Sequence, residues 1–180
     1  MSDAIGSGRA IEVLLVEDNE GDARLAQEAL RDGKFRVGFN HVWDGEEAMD
    51  FLRRTGKHTA APRPDIILLD LNLPRMDGRE VLAEIKKDDA LKGIPVVILT
   101  TSSAEHDILC AYGLHANCYV TKPVTMVEFI KAVTAIEEFW LTIVKLPAAP
   151  PEWGARVPAM WGRMASGVRS ASARGHRGHG

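Results

Sequence analysis

The chain has 180 residues, 46% hydrophobic and 26% charged, enough to bury one core without disulfide or metal staples. No apolar run approaches the roughly 20 residues that span a bilayer, and the first ten residues lack the charged start and apolar run of a signal peptide. Residues 1–146 hold 17 Lys+Arg against 24 Asp+Glu, and residues 147–180 hold five Arg against one Glu, so an acidic body carries a basic tail and lacks the basic face of a nucleic-acid-binding fold.

Ile11–Val16 (IEVLLV) is almost continuously apolar, as a strand buried on both faces is. Glu20–Arg31 has helical spacing through Leu25, Ala26, Ala29 and Leu30, with Gly33 as a stop. Residues 35–42 read as a more polar strand nearer an edge, and residues 45–54 as a second helix through Ala48, Phe51 and Leu52. A strand at 65–69 (DIILL), a helix at 79–87, a strand at 95–99 (PVVIL), a short helix near 104–112, a strand at 118–120 and a helix at 126–144 complete the pattern. Five strands alternating with five helices predict a mainly parallel sheet covered on both faces. The size fits a flavodoxin-like, doubly wound α/β fold with strand order 2-1-3-4-5. The expected organisation is an extension at 1–9, one domain at 10–146, and a Pro-, Gly- and Arg-rich tail at 147–180 that is too polar to build a core. Cys110 and Cys118 have no metal-ligand companions in the sequence and read as packing thiols in a cytoplasmic protein.

In such a sheet, ligands bind beyond the carboxyl ends of the strands. Glu17 and Asp18 follow the first strand, Asp70 the third, Thr100 and Thr101 the fourth, and Lys122 and Pro123 the fifth. Three crowded carboxylates repel one another, at about 4 kcal/mol per pair at 4 Å and an effective dielectric near 20. The nest must protonate or bind a cation, and Mg²⁺ suits it, being a hard ion that takes carboxylate and phosphate oxygens. A carboxylate there can act as a nucleophile and form an acyl phosphate. Lys122 and the Thr100 hydroxyl offer contacts to further phosphoryl oxygens.

VEDN (16–19), LDLNLPRMDG (69–78), ILTTS (98–102) and YVTKP (119–123) stand in order at those strand ends. Together they resemble the receiver domain of two-component response regulators over about residues 10–146. The resemblance implies that Asp70 is the phosphoacceptor. It implies that Asp18 holds Mg²⁺ directly, that Glu17 does so mainly through water, and that the Asn72 main-chain carbonyl is a third protein ligand. It makes Thr100 the switch hydroxyl, Tyr119 the rotating aromatic, and Lys122 the phosphate-contacting lysine. Pro123 matches a proline that often follows a cis peptide. The implied reaction is phosphoryl transfer from a histidine kinase to Asp70, after which Thr100 and Lys122 move inward and Tyr119 fills the vacated space. The chain would then be a single-domain signalling switch and not an enzyme with turnover. Thr101 departs from the small residue usual after the switch Thr, which narrows access to the phosphoryl group. EDNEGDARL, DGEEAMDFL, ILTTSSAEHDI and EEFWLTIVKLP further resemble the stand-alone receivers paired with phytochrome-type kinases.

Competing readings stay open on the residues alone. Asn19 is a better helix cap than Glu17 or Asp18. Lys122 could be a solvated lysine, Thr100 a satisfied strand-end hydroxyl, and Tyr119 a half-buried aromatic of an outer strand. Gly78 suits a turn. His41, His58, His106 and His115 are scattered and expected at the surface. In the last helix, Met126, Phe129, Ile130, Val133 and Ile136 form a core stripe. From Phe139 onward apolar residues run nearly all round, which reads either as an extension of the core or, in preference, as a homodimer through the fourth helix, fifth strand and fifth helix or a kinase-docking surface. The rival functions are a phosphorylation-controlled nucleic-acid regulator using the basic tail, a flavin carrier, and a Mg²⁺-dependent phosphohydrolase.

Overall fold

Four consecutive residues of β1 (Ile11–Val16), and all five of β3 (Ile66–Asp70) and β4 (Val96–Thr100), are buried, which is what continuous apolar runs in a two-sided parallel sheet require. The computed structural model describes residues 10–101, 104, 113–123 and 125–143. Its other elements are β2 (Val37–Val42), β5 (Cys118–Thr121), α1 (Glu20–Arg31), α2 (Gly45–Arg53), α3 (Gly78–Lys87) and α4 (Met126–Glu138). All strand pairings are parallel, in the order β2-β1-β3-β4-β5, so the predicted doubly wound topology is correct. β2 is half-buried along most of its length and lies at an edge.

The two sheet faces bury alternate residues of each strand. Val13, Leu15, Ile66, Leu68, Val97 and Leu99 pack with α1 and α4. Leu14, Val16, Ile67, Leu69, Val96 and Ile98 pack with α2 and α3. Each described helix begins at the rim where the strands end. Asn19, Asp44, Asp77 and Thr125 cap their N-termini by accepting backbone N–H bonds, and Asp77 and Glu80 form a full capping box. The positive ends of these helix dipoles therefore face the rim that carries the acidic residues.

The expectations for residues 1–9, for most of the 104–112 helix and for the 147–180 tail lie outside the described residues. Some details differ from the pattern reading. β2 begins at Val37, because the Phe35 N–H instead donates to Glu137 Oε1. The last helix is α-helical only to Glu138, then widens into a π turn at Phe139–Ile143 that places Trp140 in the core and leaves Phe139 exposed. Met126, the first residue of α4, is 61% exposed and leaves the expected stripe. His41 and His58 are half-buried, not surface groups: His41 lies edge-on to Trp43, and His58 to Phe51. No described peptide bond is cis, so Lys122–Pro123 is trans. Among the described residues no helix is long and apolar enough to cross a membrane.

Candidate functional site

The register brings the strand-end residues together. Asp70 ends β3 opposite Leu99, so Thr100 stands one residue further along the rim on β4. Glu17 follows β1 directly, its N–H bound to the Val42 carbonyl. Lys122 follows β5, and its N–H donates to the Thr100 carbonyl at 2.6 Å.

Asp70 is 5% exposed and Glu17 1%, so neither charge is solvated by bulk water. Each carboxylate is held at both oxygens. Asp70 Oδ1 accepts the Asn72 N–H at 3.0 Å, and Oδ2 accepts from Lys122 Nζ at 2.8 Å. Glu17 Oε1 accepts the Asn19 N–H at 3.0 Å, and Oε2 accepts from Lys122 at 2.5 Å. His41 Nε2 lies 2.8 Å from the Glu17 carbonyl oxygen and fixes the backbone there.

Burial pushes the Glu17 carboxyl up to about 7, with the Asp70 charge adding to it and Lys122 only partly offsetting it. For Lys122, burial alone favours loss of the proton. The carboxylates of Asp70 and Glu17 outweigh that and hold the ammonium above its ordinary range. The site is thus short of positive charge, with one lysine shared among several acids.

Glu17, Asp18 and Asp70 each offer a carboxylate oxygen, and these oxygens lie within 4.8 Å of one another. An all-oxygen, anionic donor set of that span fits a hard divalent cation such as Mg²⁺. Asp18 is exposed and open to water. Asn72, whose carbonyl is the remaining expected ligand, is exposed in the loop after β3. Thr100 is fully buried, while Thr101 is exposed on the rim. Tyr119 pairs with Ile98 and packs on the α2–α3 side of the sheet, the side that Ile98 and Thr100 share.

Two features were not read from the sequence. Asp22, in the first turn of α1, is a further carboxylate on Lys122, with Oδ2 at 3.2 Å. Its place in the helix behind Glu17 and Asp18 was the available signal. Gly78 does more than shape a turn, because a Cβ there would lie 2.1 Å from the Asp70 carbonyl oxygen and 2.7 Å from Leu71 Cα. α3 thus starts against the backbone of Asp70 itself, and the N–H of Gly78 donates to the Leu71 carbonyl at 3.0 Å. Gly78→Ala is expected to destabilise the chain by about 1–3 kcal/mol, since backbone cannot yield as a flexible side chain does. It should also displace Asp70. Urea unfolding checks the first effect, and the chemical shift of the Asp70 amide checks the second.

The sequence of residues 13–134 matches the response regulator receiver domain. The chain is 52% identical over 137 residues to response regulator Rcp1 of Synechocystis sp., covering 76% of this chain and 93% of that protein. The crystal structure of the phosphorylated cyanobacterial phytochrome response regulator RcpA superposes with a TM-score of 0.74 at 52% identity, covering 78% of this chain and all of RcpA. The Mn²⁺-bound form of Rcp1 superposes with a TM-score of 0.72 at 51% identity, covering 77% of this chain and 99% of that one.

Proposed function

The chain belongs to the response regulator receiver domain family, and on that premise we propose that it is a single-domain switch phosphorylated on Asp70 by a histidine kinase. The observation that carries this reading is the Asp70 carboxylate. It sits at a strand end with one oxygen on the Asn72 N–H, the other on Lys122, and two further acids beside it. One Asp70 oxygen would attack the phosphorus of a phosphohistidine. The new P–O bond forms as the P–N bond breaks, and the imidazole leaves and takes up a proton.

Glu17, Asp18, Asp70 and the Asn72 carbonyl would hold Mg²⁺. When bound, the ion would supply positive charge that neutralises the crowded carboxylates and the incoming phosphoryl group. Lys122 contacts a phosphoryl oxygen, and the Thr100 hydroxyl donates to another. The exposed Asp18 would contact the ion directly, and the buried Glu17 would act mainly through water. Tyr119 shares the face of Thr100 on the neighbouring strand, so inward movement of Thr100 frees space that Tyr119 can enter. Thr101, exposed beside this space, narrows access for the hydrolytic water.

Residues 10–146 form the receiver in this reading, and 147–180 a basic appendage. Similarity to RcpA favours a phytochrome-type kinase as the partner. The exposed Met126, Val127 and Phe139 of the last helix and its π turn support a homodimer through residues 104–112, β5 and α4.

The test is transfer from a panel of phosphorylated histidine kinases to the full chain. One hydroxylamine-sensitive label per chain, abolished by chelating Mg²⁺, is expected. Repeated turnover of a phosphomonoester would instead identify a small-substrate hydrolase. No label from any kinase or small phosphodonor would overturn the reading.

A further inference from the structure

The Lys122 ammonium has three N–H bonds and meets three carboxylates, each from a different part of the fold. Glu17 follows β1, Asp70 ends β3, and Asp22 lies in the first turn of α1. Glu17 and Asp70 belong to the oxygen cluster that fits a divalent cation, and Asp22 does not. Asp22 is nevertheless built into the same corner. Its N–H donates to Asn19 Oδ1 at 3.0 Å, and the Asn19 N–H fixes Glu17 Oε1. One cap residue thus sets both the buried acid and the helix turn that presents Asp22.

We infer that Asp22 is a positioning residue for Lys122, retaining its ammonium at the rim when Glu17 and Asp70 pass to a divalent cation. The inference rests on the receiver reading above and deepens it. A cation among Glu17, Asp18 and Asp70 competes with the ammonium for two of its three acceptors and repels it. A lysine released from both would regain the rotamer freedom of a long flexible stem. Held by Asp22, it keeps a defined place beside Asp70. The Asp22 side chain is 34% exposed against 1% for that of Glu17, so its pair with Lys122 is the more solvent-screened and the easier to give up. That suits a partner which must yield when a phosphoryl oxygen takes the ammonium. Lys122 also stands between Asp22 and the arriving phosphoryl group, which shields two anions from each other.

The experiment is a double-mutant cycle on the full chain with Asp22→Asn and Lys122→Gln, and with Asp22→Glu as the conservative variant. Mg²⁺ alone is titrated by calorimetry, and labelling by a small phosphodonor is followed at saturating Mg²⁺. With Lys122 present, Asp22→Asn is expected to weaken Mg²⁺ binding and to slow labelling, each by about tenfold, and each by less than about threefold in the Lys122→Gln chain. Asp22→Glu should stay within about threefold of wild type on both measures. Equal losses with and without Lys122 would mean that Asp22 acts through bulk charge alone, and would overturn the inference. So would an unaltered Asp22→Asn chain, or equal impairment of the Glu and Asn variants, a comparison that does not depend on the Lys122→Gln chain folding. A wild-type chain that takes no label would overturn the functional reading instead, and the Mg²⁺ titrations would still decide the role of Asp22.

Discussion

Asp70→Asn is expected to abolish phosphoryl labelling, by about a thousandfold or more, in a chain that folds as well as the wild type. The amide lacks the anionic oxygen that attacks phosphorus. It keeps a carbonyl oxygen, however, so the bond from the Asn72 N–H, made at 3.0 Å in the wild type, can survive. Its NH₂ faces the Lys122 ammonium where Asp70 Oδ2 had accepted at 2.8 Å, so Lys122 turns more fully to Glu17 and Asp22. Loss of the Asp70 charge also removes one of the causes that raise the Glu17 carboxyl. Crowding among buried acids is thereby relieved, and the melting temperature without metal should be no lower than that of the wild type. Wild-type labelling of this variant would refute Asp70 as the acceptor. A large fall in melting temperature would show that the loss of label came from unfolding.

Lys122→Met carries the largest expected cost in stability, about 3–5 kcal/mol without metal, because it leaves two buried acids unpaired. The Lys122 side chain is 6% exposed and contacts both Glu17 and Asp70. Methionine replaces much of its volume, so the loss is electrostatic and not a cavity effect. The pH dependence has a definite sign. The Glu17 carboxyl is raised from 4.5 to about 7, so the folded state binds that proton more tightly than the unfolded state. The corresponding stability is fully present below the unfolded value and is lost as pH rises through the folded one. Without Lys122 the carboxyl moves higher still, and the loss extends further toward alkaline pH. Urea unfolding should therefore show a smaller deficit at about pH 5 than at about pH 8. Mg²⁺ should restore part of it by supplying the missing positive charge. Equal deficits at both pH values would disprove this electrostatic account.

Local patterns made most of the frame legible. IEVLLV, DIILL and PVVIL are almost continuously apolar, and only a strand covered on both faces buries consecutive residues, as four of β1 and all five of β3 and β4 are. Strict alternation with helices then leaves the doubly wound order as the short-connection solution. The polar residues at strand ends followed from the same frame, since parallel strands deliver their carboxyl ends to one rim. Less legible were features in which local pattern and tertiary packing diverge. Met126 has the spacing of a core residue yet is exposed at the start of α4. His41 and His58 look like scattered polar groups yet are drawn in by Trp43 and Phe51.

The strand and helix periods, the order of the elements, and the identity of the acids, hydroxyl and lysine at the rim are written in the chain itself. Those depend on side-chain spacing along a few residues, which the backbone geometry of each element converts directly into a buried or exposed face. That Asp22 meets a lysine 100 residues away, and that the first turn of α3 rests on the carbonyl of Asp70, emerges from the packing of the folded chain. Such contacts are set by the register between non-adjacent strands and by how closely a helix lies on them. No periodicity within a single segment encodes those distances, because each is the joint result of packing several segments into one core.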